Sequence, residues 1–219
     1  MFTSSRRRIE HEILDEQTPE AGRRSLRDLV RINRYFGGHE ALRSALRRVA
    51  PADPFTVLDV GAASGDSGEA MRGIFPQASV TSLDYKMHHL QGASHPKLAG
   101  DAFQLPFRPD SFDVVACSLF LHHFTDEQVV ALLKQFGSVA RRAVLVNDLE
   151  RNRLAYHFLP ATRFLFGWDR ITLHDGPVSV QAAFTEHELQ ALAWRAGLRN
   201  IRTQVHRPAF RITLVADPE

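Results

Sequence analysis

The sequence predicts an α/β fold: a seven-stranded, mostly parallel sheet with helices on both faces and a closing antiparallel hairpin. From residue 55 onward, short apolar segments rich in β-branched residues alternate with segments of helical periodicity. This alternation is typical of parallel strands joined by crossover helices. The last two apolar segments are separated by only a short link, which favours a hairpin. A chain of 219 residues fits one such domain with an appendage.

The individual elements follow from local patterns. Strands are predicted over residues 55–60, 78–84, 97–100, 112–120, 143–148, 201–206 and 211–216, and helices over 67–75, 126–141 and 186–196. Thr125 with Gln128, and Thr185 with Glu188, have the spacing of capping boxes at two helix starts. Gly197 then ends the last helix.

The segments outside this core divide the chain further. Residues 1–20 are polar, and we expect them to be loosely ordered. Residues 21–49 have helical spacing that Gly37 and Gly38 interrupt, which predicts a cap of two helices over residues 1–50. The core then covers 51–219. Within it, residues 149–184 carry aromatic side chains of their own and are interpreted as a lid insertion.

Composition narrows the class of protein. A single cysteine, Cys117, excludes an internal disulfide framework and a four-cysteine zinc site, and is consistent with a cytoplasmic location. No apolar run is long enough to span a bilayer, and no secretory signal is expected. The net charge of +2 gives no reason to expect nucleic acid as a partner. The oligomeric state stays open.

A turn of small residues follows the first core strand, in the segment VLDVGAASGD at residues 57–66. Such a turn lets the backbone approach a ligand closely and aims amide groups at it. Asp59, Gly61 and Gly65 do not fit the dinucleotide fingerprint GxGxxG. They resemble the first motif of the class I S-adenosylmethionine-dependent methyltransferases, (D/E)xGxGxG, with Ala63 in place of the middle glycine. The resemblance implies a Rossmann-like core and S-adenosylmethionine as the cofactor.

Two later segments strengthen this resemblance. Residues 100–107, GDAFQLPF, and 110–115, DSFDVV, are similar to stretches of the ubiquinone/menaquinone-type methyltransferases and related small-molecule enzymes. Asp84, at the end of the second strand, has carboxylate oxygens that can accept hydrogen bonds from ribose hydroxyls. With the first motif, the resemblance implies a cofactor-binding set: Asp59, Gly61, Ala62, Ala63, Gly65, Asp84, Tyr85 against the adenine, and Asp101 with Ala102 beside the adenine amino group.

The fourth strand leads into CSLFLHHF at residues 117–124, which resembles the family's fourth motif. Ser118 is then expected near the methionine part of the cofactor. His122 or His123 is the candidate general base for an acceptor hydroxyl. The alternative is that this pair only packs against, or caps, a helix. Asp148 either orients a substrate or a histidine, or simply forms a turn.

The N-terminal segment RINRYFGG at residues 31–38 resembles helices that precede the core in some bacterial small-molecule methyltransferases. By that resemblance Arg34 reaches the cofactor carboxylate; the alternative is a surface arginine. His157 and His174 are interpreted as surface or packing residues. No cluster of His, Cys and Asp has metal-ligand spacing, so we predict no metal.

Together these patterns predict methyl transfer to an oxygen or carbon of a small hydrophobic acceptor, aromatic, phenolic or polyketide-like, beneath an apolar lid. Two alternatives stay open. One is a nucleic-acid or protein methyltransferase, which lacks support because SLFL stands at residues 118–121 where base-methylating enzymes carry an Asn-Pro-Pro-Tyr-like motif. The other is a non-catalytic cofactor-binding module. A nicotinamide oxidoreductase is disfavoured by the missing third glycine.

Overall fold

The computed structural model describes residues 2, 6–94 and 96–218. It contains one seven-stranded sheet in the order β3-β2-β1-β4-β5-β7-β6. The strands are β1 Phe55–Val60, β2 Ala78–Asp84, β3 Lys97–Ala99, β4 Phe112–Ser118, β5 Ala140–Leu149, β6 Arg199–His206 and β7 Arg211–Asp217. β1 to β5 pair in parallel, and β7 lies antiparallel between β5 and β6. This confirms the predicted fold class.

Eight helices accompany the sheet within the described residues. They are α1 Ile13–Glu16, α2 Pro19–Tyr35, α3 Gly38–Leu46, α4 Asp66–Arg72, α5 Asp126–Val139, α6 Arg153–Phe166, α7 Arg170–Ala182 and α8 Glu186–Arg195. Both predicted capping boxes are present, at the starts of α5 and α8. Gly37 has a φ of +88° between α2 and α3, which explains why glycine stands at the predicted interruption.

Alternating residues along the strands bury both faces of the sheet. On one face Leu58, Val115 and Val144 pack with Phe136 of α5 and Leu189 of α8. The opposite face carries residues such as Val57, Val114 and Leu145 with Leu42, Leu46 and Met71 from α3 and α4. Because both faces are covered, the central strands contain apolar runs such as residues 114–117 and 143–146 rather than an alternating polar pattern.

The sheet topology creates a crevice at the carboxyl ends of β1 and β4. β1 pairs with β2 on one side and with β4 on the other, so the direction of winding reverses between β1 and β4. In open α/β sheets, ligands bind at this switch point, beyond the carboxyl ends of the strands. The sequence motifs at Gly61 and Ser118 therefore lie at the same edge.

The N-terminal segment differs from the prediction. Among the described residues of the N-terminal segment, Arg8 donates its backbone N–H to the carbonyl of Gln181, and Asp175 accepts from the backbone N–H groups of Ile13 and Leu14. The expectation of a loosely ordered N-terminus is therefore wrong for residues 7–14; Met1 and residues 3–5 lie outside the described residues. The segment predicted as a lid insertion forms α6 and α7.

None of the described helices is both long enough and apolar enough to cross a membrane.

Candidate functional site

The turn after β1 keeps a glycine-like backbone even where it has alanine. Gly61 and Gly65 have φ values of +68° and +77°, and Ala63 has a φ of +43°. A Cβ on Gly61 would lie 2.2 Å from the Phe120 ring, and one on Gly65 would lie 2.6 Å from Cβ of Ala93. The two glycines are therefore required by space as well as by conformation. Ala63 adopts the left-handed region despite its side chain.

Asp84 ties the end of β2 to this turn. Its Oδ2 accepts from the backbone N–H of Ala63 at 3.0 Å, and its Oδ1 accepts from the N–H of Lys86 at 3.0 Å and lies 3.1 Å from Nδ1 of His89. Burial alone would raise the pKa of Asp84, but the bonds from His89, Lys86 and Ala63 lower it. The carboxylate is thus charged, with one of its roughly four acceptor positions left over.

Asp59, in the middle of the predicted motif, is buried and its Oδ2 has no hydrogen-bond partner. Burial, with a contribution from the nearby Asp66, raises the pKa of Asp59 to about 8. The side chain is therefore mostly protonated at neutral pH, and it lines neither of the two cavities described below, so its predicted contact with the cofactor stays a prediction.

A large cavity of about 640 Å³ opens above the turn. This volume is within the range of small-molecule sites. Five predicted cofactor-binding residues line it together with His123, Phe120 and residues of α2; the five are Gly61, Ala62, Ala63, Asp84 and Ser118. Its size, the amides of the turn and the carboxylate at the end of β2 fit a nucleoside-containing cofactor such as S-adenosylmethionine.

The other predicted cofactor-binding residues do not line the large cavity. Arg34 is exposed and its guanidinium lies 5.5 Å from the ring centre of Tyr35, outside the cavity lining. Tyr85 is 77% exposed. Asp101 accepts from the backbone N–H of Phe103, and Ala102 is packed in the core; neither lines the cavity. Their predicted contacts with the cofactor stay predictions, and Arg34 matches the surface alternative.

A second, smaller cavity of about 140 Å³ adjoins the first. Most of its wall is apolar and comes from α2, α6, α7 and the link before β7; it includes Leu29, Ile32, Phe36, Leu149, Ala155, Phe158, Leu159, Val180, Pro208 and Phe210. Its polar members are Glu12, His122, His123, Ser179 and Arg211. Glu12, Leu29, Leu119 and His123 line both cavities, so the two cavities meet at these residues.

His122 is held between two carboxylates. Its side chain is 4% exposed, its Nδ1 donates to Oδ1 of Asp148 at 2.6 Å, and its Nε2 lies 3.6 Å from Oε1 of Glu12. Burial alone would lower the pKa of His122, but Asp148 and Glu12 outweigh burial and raise it to about 10. His122 is therefore an imidazolium at neutral pH, which makes it a poor candidate for the predicted general base.

Glu12 supplies a negative charge at the place where the two cavities meet. Burial alone would raise its pKa, but His122, His123 and the Ser179 hydroxyl lower it to about 2. The Ser179 hydroxyl donates to Oε1 of Glu12. Glu12 is thus a carboxylate at neutral pH, and it stands beside both histidines.

His123 is more accessible than its neighbour His122. Its side chain is 28% exposed, its Nδ1 lies 3.9 Å from Oε1 of Glu12, and its ring centre lies 4.3 Å from that of His122. Glu12, His122 and His123 each offer one ligand atom, and these atoms lie within 4.8 Å of one another. Sequence spacing gave no sign of this cluster, and the absence of a metal stays a prediction.

Sequence reasoning missed several residues of the site. Glu12, Asp175, Ser179 and Arg211 come from segments far apart in the chain, and no local motif marks them. Arg7 also holds the N-terminal segment against the site, because its guanidinium donates to the carbonyls of His122, Phe124 and Ala182 and lies 4.0 Å from the ring centre of Phe184. The one available signal was Asp148, where the predicted alternative of orienting a histidine matches the structure.

Comparison with known proteins finds methyltransferases among the similar sequences. Residues 57–143 match the family model described as a methyltransferase domain. The chain is 28% identical over 125 residues to a demethylmenaquinone methyltransferase of Roseiflexus sp. (strain RS-1), covering 53% of this chain and 51% of the relative. The chain thus spans about half the length of the curated relatives it matches.

Solved structures show the same fold. The plantazolicin methyltransferase BpumL in complex with SAH aligns with a TM-score of 0.67 at 13% identity, covering 91% of this chain and 89% of that chain. The pyocyanin biosynthetic protein PhzM aligns with a TM-score of 0.66 at 20% identity, covering 94% and 60%. The motifs, the sheet topology and the family match over residues 57–143 together support a class I S-adenosylmethionine-dependent methyltransferase that resembles the quinone-type methyltransferases.

Proposed function

We propose that this protein transfers the methyl group of S-adenosylmethionine to an oxygen of a small, hydrophobic aromatic acceptor. The observation that carries the proposal is the meeting of the two cavities at His123 and Glu12. A methyl donor in the large cavity and a ring in the small one then face each other across this junction. A ring carbon is the second acceptor atom compatible with this arrangement.

The large cavity holds the donor in this proposal. The turn at Gly61, Ala62 and Ala63 presents backbone to it, and Asp84 accepts from one ribose hydroxyl with its remaining acceptor position. Ser118 lines the side nearest β4 and is itself held by the side-chain amide of Asn147 at 2.8 Å. When bound, the cofactor supplies an electrophilic methyl group on its sulfonium.

The small cavity selects the acceptor. A cavity of roughly 150 Å³ lined by apolar side chains accommodates benzene, and the cavity here has a volume of about 140 Å³. Phe36 and Phe158, whose ring centres are 5.2 Å apart, contribute aromatic surface to its wall. A single aromatic ring therefore fits better than a bulky or highly polar acceptor.

His123 is the proposed general base. It lines both cavities, and the adjacent Glu12 carboxylate stabilises the positive charge that the ring gains on accepting a proton. As the acceptor oxygen bonded to the methyl carbon, the bond from that carbon to the sulfonium would break with its electron pair going to sulfur, S-adenosylhomocysteine would leave, and a ring nitrogen of His123 would take the proton of the acceptor. His122, already cationic, fixes Glu12 and Asp148 in place.

The remaining contribution is positioning. Holding the acceptor oxygen in line with the methyl group and excluding water lowers the barrier by several kcal/mol in comparable systems, on the order of 7–11. The N-terminal segment and α7 close the site through the bonds of Asp175 to Ile13 and Leu14.

The predicted cytoplasmic location rests on the single cysteine, Cys117, which is a buried free thiol.

The direct test uses the purified full chain with S-adenosylmethionine labelled in its methyl group and a panel of phenols, quinols and single-ring enols. Labelled methyl ether is the expected product. Asp84→Ala is expected to weaken S-adenosylhomocysteine binding and turnover together, whereas Asp53→Ala, an exposed acid outside both cavities, leaves both unchanged. Tight binding of S-adenosylhomocysteine without methylation of any ring in the panel would contradict the proposed acceptor class.

A further inference from the structure

Arg211 is a buried arginine at the edge of the small cavity. It is the first residue of β7, it pairs with Leu149 of β5, and only 4% of its surface is exposed. Both Arg211 and Leu149 line the cavity whose wall is otherwise mostly apolar. The pairing between β5 and β7 therefore places the backbone of Arg211 beside the cavity that is proposed to hold the acceptor.

The guanidinium of Arg211 is only partly satisfied. Its Nη2 donates to Oδ1 of Asn33 at 3.1 Å and its Nη1 donates to the carbonyl of Ala209 at 3.3 Å, while its Nε has no partner. Among the described residues, no carboxylate oxygen lies within 4.0 Å of a guanidinium nitrogen of Arg211. By contrast, the buried Arg151 forms two bonds of 2.7 and 2.8 Å with the carboxylate of Glu188.

An unpaired buried cation is costly, and proteins normally pair such a charge. Burial lowers the pKa of Arg211 to about 10, with Asp148 opposing the shift, so the side chain still carries its charge at neutral pH. The protein thus keeps a positive charge beside an apolar cavity, and the Asp148 carboxylate acts on that charge without forming an ion pair with it. An anion brought by a ligand is the missing partner.

We infer that Arg211 anchors an anionic oxygen, a carboxylate or a phenolate, on the single-ring acceptor in the small cavity. The planar guanidinium suits such oxygens because it presents several N–H donors in one plane. This inference rests on the proposed function and narrows its substrate class to an aromatic ring with an ionised oxygen substituent. The hydroxyl that receives the methyl group then faces His123.

The carboxylate of the cofactor is the competing partner for Arg211. Arg211 lines the small cavity and not the large one. Asn33 stands between them: it lines the large cavity, accepts from Arg211 and donates to Oδ2 of Asp66 at 3.3 Å. The side chain that faces the cofactor is therefore Asn33, and Arg211 is left for the acceptor.

The test measures binding of charged and neutral rings to the full chain saturated with S-adenosylhomocysteine. Benzoate is compared with benzamide at pH 7.5, and 4-nitrophenolate with nitrobenzene at pH 8.5, by calorimetry or ligand-observed NMR. In the wild type, at least one anion should bind about tenfold more tightly than its neutral counterpart, the size of one charge-assisted hydrogen bond. A preference for benzoate alone identifies the anion as a carboxylate, and one for 4-nitrophenolate alone identifies a phenolate.

Variants then assign the preference to Arg211. Arg211→Met should abolish it, Arg211→Lys should keep part of it, and Arg202→Met, which removes an exposed arginine on β6, should keep all of it. The affinity for S-adenosylhomocysteine should be the same in all four proteins. If Arg211→Met does not fold, the wild type and Arg211→Lys still decide the question.

Three results overturn the inference: neither anion is preferred by the wild type, the preference survives in Arg211→Met, or a folded variant at Arg211 loses S-adenosylhomocysteine binding at least tenfold. The last result assigns the arginine to the cofactor instead. Failure of the proposed function looks different, because the anion preference then persists while no ring is methylated.

Discussion

Asp148 Oδ1 lies 2.6 Å from Nδ1 of His122, and both side chains are buried at the point where β4 and β5 end. A second oxygen of Asp148 accepts from the backbone N–H of Leu121 at 2.9 Å, so the carboxylate holds both the ring and the turn that carries it. Glu12 closes the arrangement from the other side of the ring. We expect the main contribution of this buried ion pair to be to the stability of the fold rather than to the reaction.

Replacing His122 by Asn should therefore destabilise the fold. The change leaves two buried carboxylates without their cation, and breaking a buried pair in this way costs about 3–5 kcal/mol. Urea unfolding at pH 7 measures the loss. His187→Asn, which changes an exposed histidine of α8, is the control and should alter stability by less than about 0.5 kcal/mol. A loss equally small in His122→Asn would show that the ion pair contributes no net stability.

The ion pairing of His122 with Asp148 and Glu12 also makes the free energy of unfolding depend on pH, and the pKa shifts give the direction of that dependence. The pKa of His122 is raised from 6.5 to about 10 in the folded state, so its stabilisation is complete below pH 6.5 and is lost as the pH rises towards 10. The pKa of Glu12 is lowered from 4.5 to about 2, so its stabilisation is present above pH 4.5 and is lost towards pH 2.

Asp59 also makes the free energy of unfolding fall as the pH rises from 3.8 to about 8, because its raised pKa favours protonation in the folded state. The useful quantity is therefore the difference in unfolding free energy between the wild type and His122→Asn, followed from pH 6 to 10. We expect this difference to shrink as the pH rises. A difference that stays constant across the range would contradict the raised pKa of His122.

Ala63→Gly should stabilise the turn. Ala63 has a φ of +43°, and a left-handed conformation costs an L-residue about 1–2 kcal/mol, whereas glycine costs about 0.5–1 kcal/mol through backbone entropy. A gain of up to about 1.5 kcal/mol in unfolding free energy is expected from this difference, with no loss of S-adenosylhomocysteine affinity. Ala62→Gly, whose φ is not positive, should instead lower stability. A lower stability in Ala63→Gly as well would show that the alanine is unstrained.

Chelators should leave methyl transfer unchanged. Glu12, His122 and His123 could surround a cation, but Nε2 of His122 carries a proton at neutral pH and Oε1 of Glu12 already accepts from Ser179. Activity is measured after dialysis against EDTA and again after adding Mg²⁺, Mn²⁺ or Zn²⁺. Activity that is lost with EDTA and restored by one of these ions would place a metal at this cluster.

The sequence predicted the elements that local patterning determines. β2 has the predicted bounds, Ala78–Asp84, because it is a short apolar segment that ends at an acid. Both capping boxes were visible because their residues are only three positions apart. The histidine pair was placed correctly at the end of β4, although a 3-10 turn over Leu121–His123, rather than an α-helix, carries it.

Contacts between distant segments were not predictable in this way. The polar composition of residues 1–20 predicts a loosely ordered segment, yet Glu12 is buried because His122 and Ser179 offer it partners from other elements. The resemblance of residues 31–38 implies that Arg34 reaches the cofactor carboxylate, whereas in the structure Arg34 is exposed and Arg211 is buried. Which arginine reaches the interior depends on strand pairing between β5 and β7, and no spacing within the sequence encodes it.

His123→Gln is the most direct test of the central claim, that methyl transfer occurs where the two cavities meet and that His123 removes the acceptor proton. Single-turnover methylation of a phenolic acceptor is followed at pH 7.5 with both substrates saturating. A fall in the rate of about 10²–10⁴, with unchanged affinity for S-adenosylhomocysteine, is expected from the loss of a general base. A rate within about twofold of the wild type would contradict the claim.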